Sequence, residues 1–299
     1  VSGLIALIPN FVAPQGDDVV GYGADDVLSA DLLDRCGLFV PHYMGPEPNA
    51  HLMQQMPNLQ ACQLLTAGYD SVVPFVPKGV SLSNAAGVHD AGTSELAVAL
   101  ILAVLRGIDT AARAMTTATW VHETHESLAD RRVLVIGAGG VGRAIERRLA
   151  AFEVHVTLMG RTRRSGIAGV DELPEQLSAA EIVVIAVPLT EQTQGLVDAA
   201  FIDRMRTGAL LVNVSRGPVV VTDDLVAALQ AGRIRAALDV TDPEPLPPGH
   251  PLWSCPNLLI TGHLGGDTTS FPPSARRLLV EQVERWRAGL ELLHQVHVP

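Results

Sequence analysis

The chain has 299 residues, 47% hydrophobic and 18% charged, which predicts two domains and excludes a disordered or collagen-like polypeptide. Its 21 basic and 32 acidic residues leave a formal net charge of −11, so no nucleic acid and no anionic membrane is expected as a nonspecific partner. An anionic ligand must then be held by a local arginine cluster or by backbone amides.

Cys36, Cys62 and Cys255 are far apart, show no C-x-x-C spacing and are odd in number, so neither a zinc ribbon nor a disulfide framework is expected. Residues 1–30 lack the basic start, apolar run and small-residue site of a secretion signal. The longest apolar run, Leu96–Leu105, is about half of the ~20 residues needed to span a bilayer. These features lead us to expect a soluble, cytoplasmic protein.

Leu4–Ile8, Leu59–Leu65 and Val80–Ser83 read as strands, and Glu47–Met56 as a helix entered at Pro46. Ala91–Met115 is Ala- and Leu-rich without proline and predicts one long, mostly buried helix. Thr116–Asp130 has no periodicity and reads as a connector. Strand and helix then alternate: Arg132–Ile136, Val141–Phe152, Val154–Met159, Asp171–Ala179, Glu181–Val187, Ala199–Met205, Ala209–Val214, Asp223–Ala231, Arg235–Val240 and Asn257–Thr261. Ser274–His294 reads as a closing helix. The strands are continuous Val/Ile/Leu runs, the pattern of a parallel sheet covered by helices on both faces.

Gly137-Ala138-Gly139-Gly140-Val141-Gly142 is a G-x-G-x-x-G turn between an apolar strand and an amphipathic helix, the context of a dinucleotide fingerprint. Gly137 permits the tight turn, Gly139 admits a pyrophosphate, and Gly142 lets helix pack on strand. The amides at Gly140 and Val141, at the helix start, face the phosphates. The next strand ends in Gly160-Arg161-Thr162-Arg163-Arg164, with no carboxylate for a ribose 2′-hydroxyl. Guanidiniums there suit a 2′-phosphate, so NADP(H) is the expected cofactor and NAD(H) the alternative. His122 and His125 stand at i, i+3 rather than the i, i+4 of a zinc-protease helix, and no metal site is expected.

Three downstream segments are distinctive together: Val212-Asn213-Val214-Ser215-Arg216-Gly217, Leu238-Asp239-Val240-Thr241-Asp242-Pro243-Glu244-Pro245-Leu246, and Leu259-Ile260-Thr261-Gly262-His263-Leu264-Gly265-Gly266. With Ala186-Val187-Pro188-Leu189-Thr190, Thr193, Gly195-Leu196, Thr66-Ala67-Gly68-Tyr69-Asp70 and Asn84-Ala85-Ala86-Gly87-Val88, the set resembles the D-isomer-specific 2-hydroxyacid dehydrogenases over roughly residues 60–270. The resemblance implies Arg216, Glu244 and His263 as catalytic residues. It implies Ala67, Gly68 and Tyr69, with Arg216, as the groups that hold the substrate carboxylate. It places Asp239 at the nicotinamide carboxamide and Pro188, Thr193 and Ser215 along the cofactor cleft. The trio suits reduction of a 2-keto acid. An imidazolium gives a proton to the carbonyl oxygen, a carboxylate stabilises that imidazolium, and a guanidinium polarises the carbonyl. Pro41–Gly45, His89, Trp253 and Phe271 are positional candidates for selecting the substrate side chain.

The chain departs from the family pattern at Gly262, where proline is common, and at His89-Asp90, where an Asn-Thr pair is common. Glu244 argues against the formate dehydrogenase branch, which pairs its histidine with glutamine.

The fold implied is α/β, with two doubly wound parallel-sheet domains. A Rossmann cofactor domain (95–265) is inserted into a flavodoxin-like substrate domain (1–94 and 266–299), with the active site in the cleft and a homodimer formed through the cofactor domain. The expected activity is NADPH-preferring reduction of a small 2-keto acid such as glyoxylate or hydroxypyruvate. The alternatives are a dinucleotide-sensing regulator on the same fold and a phosphite dehydrogenase-like enzyme.

Overall fold

The computed structural model describes residues 3–43 and 49–297. The chain divides into two compact units, one combining the residues up to His89 with those from Thr269 on, the other running from Asp90 to Thr268. No single described helix is long and apolar enough to cross a membrane.

The first unit is built on strands β1 (Ile5–Pro9), β2 (Val19–Tyr22), β3 (Cys36–Phe39), β4 (Ala61–Gln63) and β5 (Ser81–Ser83), with helix α1 (Ala30–Arg35) before β3. The closing helix α8 (Phe271–Arg287) and strand β12 (Gln295–Val296) return to it. The sheet order is β12-β5-β4-β3-β1-β2, parallel except for β12. Alternation sorts the side chains: Ala6 and Ile8 face α8, with Phe271, Ala275, Leu279 and Val283, while Ile5 and Leu7 pack on the other face with Phe39 and Met53. Buried Gln282 of α8 donates to Gln63 Oε1 at 2.5 Å and accepts from the Leu293 amide at 2.8 Å, fastening the returning chain to the sheet.

The sequence reading differs here in three places. β2 and β3 were not expected; each is only four residues long and contains glycine, which weakens the strand pattern. The expected helix Glu47–Met56 is a 3-10 helix at Asn49–Gln55, and Met44, Gly45, Pro46 and Glu47 lie outside the described residues. The closing helix stops at Arg287 because Gly289 adopts the left-handed conformation, after which the chain extends into β12.

The second unit holds a six-stranded, fully parallel sheet in the order β11-β10-β9-β8-β6-β7. Its strands are β6 (Arg132–Ile136), β7 (His155–Met159), β8 (Ile182–Ile185), β9 (Leu210–Asn213), β10 (Arg235–Leu238) and β11 (Leu258–Ile260). Helices α2 (Asp90–Leu105) and α4 (Gly140–Leu149) cover one face; α5 (Leu173–Ala179), α6 (Ala199–Arg204) and α7 (Thr222–Gln230) cover the other. Val133 and Val135 point to the first face, Leu134 and Ile136 to the second, and both sets are buried. That double burial explains the unbroken apolar strands. The strand order reverses between β6 and its two neighbours, so the glycine-rich turn leaves β6 at the switch point where such sheets bind ligands.

The long helix expected over Ala91–Met115 is two helices. Gly107 takes a left-handed conformation (φ 60°) that ends α2 and starts α3 (Ile108–Met115), and the His125 ring fills the space a side chain there would need. α3 has no buried residue. The connector beyond it forms neither helix nor strand, as expected, and Glu126 ties it to the sheet by ion pairs to Arg131 (3.2 Å) and Arg235 (3.0 Å).

Candidate active site

The glycine-rich turn shows why each glycine is needed. A Cβ on Gly137 (φ 120°) would overlap the Ala186 carbonyl, and one on Gly142 would overlap the carbonyl of Gly137. Gly139 faces open space, with no atom within 4 Å of an added Cβ. No side chain caps α4, and among the described residues the amides of Gly140, Val141 and Gly142 have no acceptor. Orphan amides at the positive end of a helix, beside an open glycine, fit the pyrophosphate of a dinucleotide.

The end of β7 leads into a loop closed by the Arg164–Ile167 bridge and by the Gly160 amide, which donates to Ala168 at 2.9 Å. Arg163 turns toward Glu172 at 3.6 Å. The side chains of Arg161, Thr162 and Arg164 make no hydrogen bond or ion pair among the described residues. An open pocket of about 350 Å³ beside this loop is lined by Arg163, Arg164, Glu172 and Gln176.

The catalytic candidates lie on loops that follow three adjacent strands. At the end of β9, Asn213 is fully buried; its Oδ1 accepts from the Ser215 amide (3.0 Å) and hydroxyl (2.8 Å), and its Nδ2 donates to the Arg216 carbonyl (3.0 Å). Arg216 Nη1 donates to the Ser215 carbonyl at 2.8 Å. Gly217 packs so closely on the Thr241 carbonyl that a Cβ would overlap it, which brings the Arg216 loop against the one carrying Glu244.

His263 follows β11 and adopts φ 57°, a region sparsely used by non-glycine residues. Its amide donates to the Asp239 carbonyl at 2.8 Å. Asp239 is only 2% exposed, and its carboxylate accepts from Thr261 Oγ1 (2.7 Å) and from the amides of Leu264 (2.8 Å) and Gly265 (2.9 Å). Asp239 thus grips both sides of the His263 turn. His263 Nδ1 lies 2.6 Å from Glu244 Oε1. Burial pushes the Glu244 carboxyl up, but the hydrogen bond and charge of His263, a backbone hydrogen bond from Thr241 and the charge of Arg216 outweigh it, holding the carboxyl below its usual range. The carboxylate accepts the Nδ1–H, which leaves Nε2 to exchange a proton with a bound molecule.

Thr193 Oγ1 donates to the Pro188 carbonyl (2.6 Å) and accepts from the Thr190 amide (2.8 Å), so both residues shape the loop after β8. In the first unit, Thr66 Oγ1 donates to the Gly68 carbonyl (2.6 Å) and Asn84 Nδ2 to the Ala67 carbonyl (2.7 Å). The amides of Ala67, Gly68 and Tyr69 have no acceptor among the described residues. Of the positions expected to select the substrate side chain, His89 stacks on Tyr43 (5.4 Å) and Phe271 (5.0 Å), and its Nε2–H donates to the Leu65 carbonyl at 2.7 Å. Trp253 is exposed and donates to the Pro247 carbonyl at 3.0 Å. Asn213 and Thr261 were not singled out in the sequence, because both act on backbone or on another side chain.

Residues 98–265 match the family model of the D-isomer specific 2-hydroxyacid dehydrogenase NAD-binding domain. That match spans more than half of the chain. The chain belongs to the D-isomer-specific 2-hydroxyacid dehydrogenases. It is 36% identical over 225 residues to the glyoxylate reductase/hydroxypyruvate reductase of Mus musculus, covering 71% of this chain and 69% of the mouse protein. It is 33% identical over 252 residues to the glyoxylate reductase of Thermofilum pendens, covering 79% of this chain and 73% of that one. The D-isomer specific 2-hydroxyacid dehydrogenase of Xanthobacter autotrophicus Py2, solved with NADPH and MES, superposes with a TM-score of 0.82 at 30% identity, covering 100% of this chain and 99% of that one. The dehydrogenase is therefore an oxidoreductase with a nicotinamide dinucleotide as cofactor, and its two parallel-sheet domains are those of the family.

Proposed function

We propose that this dehydrogenase reduces a small 2-keto acid of the glyoxylate or hydroxypyruvate class, with NADPH as the preferred donor. The observation that carries the reading is the 2.6 Å His263–Glu244 pair within electrostatic reach of Arg216. The reduced nicotinamide, when bound, supplies the hydride. His263 Nε2 delivers the proton to the carbonyl oxygen, and takes it back in the oxidation direction. Glu244 holds Nδ1–H, which fixes the ring and stabilises the imidazolium. Arg216 places a permanent positive charge against the developing oxyanion and the substrate carboxylate. The free amides of Ala67, Gly68 and Tyr69 are assigned to that carboxylate, and the free guanidinium of Arg161 to the 2′-phosphate.

A regulator on this fold could keep the same trio; the reductase reading is preferred because relatives similar over two thirds or more of both chains are glyoxylate and hydroxypyruvate reductases. A second copy of the chain is the partner we assign to α3, where Ile108, Met115 and the neighbouring Trp120 are exposed (55%, 80% and 91%). The test is a panel of glyoxylate, hydroxypyruvate and phosphite with NADPH, NADH and their oxidised forms. Glyoxylate or hydroxypyruvate should turn over with NADPH, and His263→Ala should lose about 10²–10⁴-fold while still binding dinucleotide. Full keto-acid reduction by His263→Ala, or turnover of phosphite alone, refutes the assignment.

A further inference from the structure

Asp90 opens α2, and its side chain lies against the start of α4: a Cβ on Gly140 would overlap both carboxylate oxygens. Gly140 is the first residue of α4, so the carboxylate stands beside the first turn of that helix, where among the described residues the amides of Gly140, Val141 and Gly142 lack acceptors and Gly139 is open. Asp90 also sits in the first turn of its own helix, so the positive ends of α2 and α4 meet at one carboxylate. Gly140 makes room for it; any larger residue at that position drives the carboxylate away.

We propose that Asp90 is an internal anion of the dinucleotide cradle that weakens the binding of NADPH and NADH alike. The inference rests on the dinucleotide reading of the glycine-rich turn. The pyrophosphate brings negative charge to the same helix end, and two like charges there oppose each other. Asp90 acts on the part the two cofactors share, so it sets overall affinity and leaves the choice between them to the ribose end. In the dinucleotide-free protein the same carboxylate stabilises the two helix starts.

The experiment measures NADPH and NADH dissociation constants by fluorescence titration of the full chain, wild type and Asp90→Asn, at low and high salt. Thermal unfolding without dinucleotide is measured alongside. Asp90→Asn should tighten both cofactors by a similar factor, about 3- to 10-fold, and the gain should shrink at high salt. The dinucleotide-free variant should melt a few degrees lower. If Asp90→Asn does not fold, Asp90→Ser, which keeps a short polar group at the helix start, must show the same tightening. Unchanged or weaker binding of both cofactors overturns the proposal, and so does tightening confined to NADPH, which would place Asp90 at the 2′-phosphate. A wild type that binds neither dinucleotide overturns the reading of the turn itself and this inference with it.

Discussion

His263 Nδ1 and Glu244 Oε1 are 2.6 Å apart, on loops that leave two neighbouring strands. The pair commits Nδ1 to the carboxylate and frees Nε2. Because the folded Glu244 carboxyl lies below its usual range, the interaction stabilises the protein above about pH 4.3, the unfolded value, and is lost as pH falls through the lower folded value. Across the neutral range the carboxylate stays charged. Glu244→Gln should therefore cost roughly 10²-fold in kcat for reduction, with a much smaller change in KM and in dinucleotide affinity. Steady-state kinetics and dinucleotide titration of wild type and variant decide it; an unchanged kcat would remove Glu244 from the proton chemistry.

Asp239 supports that histidine from below. Its carboxylate accepts from the amides of Leu264 and Gly265, while its own carbonyl takes the His263 amide. Asp239→Ala leaves two amides unmet in a buried turn, at a cost of about 2–5 kcal/mol. A fall in Tm of roughly 5–15 °C is expected, together with a loss of kcat larger than the change in KM. A variant with normal Tm and normal kcat would show that the turn holds itself.

Gly139 and Gly142 should fail in opposite ways. Gly139 faces open space, so Gly139→Ala keeps the fold and loses dinucleotide affinity, since the methyl group stands where the pyrophosphate approaches. Gly142→Ala drives a methyl group into the Gly137 carbonyl and should lose stability first. Thermal unfolding and dinucleotide titration of both variants separate the two effects. A destabilised Gly139→Ala with normal affinity would reverse the roles assigned to the two glycines.

The second unit was legible because its parallel strands are buried on both faces. Val133 to Ile136 and Ile182 to Ile185 are apolar at every position, and short helical patterns fall between them. The first unit was harder: β2 and β3 carry glycine and are too short for a pattern, and β12 is two residues long. Gly107 broke a helix that composition alone ran through, because the segment around it is rich in Ala and Leu without proline and only its left-handed backbone ends α2. In the candidate site, Arg216, Glu244 and His263 are residue types whose possible chemistry can be read from the sequence. The roles of Asn213 and Asp239 in holding those loops depend on which amides they face, and only the structure supplies that.

The proposed preference for NADPH is tested at the loop after β7. Gly160 offers no side chain to a 2′-hydroxyl, and a carboxylate added there has little room: its Cβ would stand 3.2 Å from Ile167 Cγ2, so that side chain must give slightly. Arg163 is turned toward Glu172 at 3.6 Å, which makes it the poorer candidate for a phosphate. Arg161 is the arginine nearest the strand end, separated from it by Gly160, and its side chain has no partner among the described residues. A charge-assisted hydrogen bond contributes about 1.5–3 kcal/mol, or roughly 10- to 150-fold in binding, and an exposed loop delivers the lower part of that range. Arg161→Ala should thus weaken NADPH by about 10-fold and leave NADH unchanged, whereas Arg163→Ala should have a smaller effect on both. Gly160→Asp combined with Arg161→Ala should shift kcat/KM toward NADH. Equal use of the two cofactors by the wild type, or no shift in the double variant, would reduce Arg161-Thr162-Arg163-Arg164 to a solvated turn.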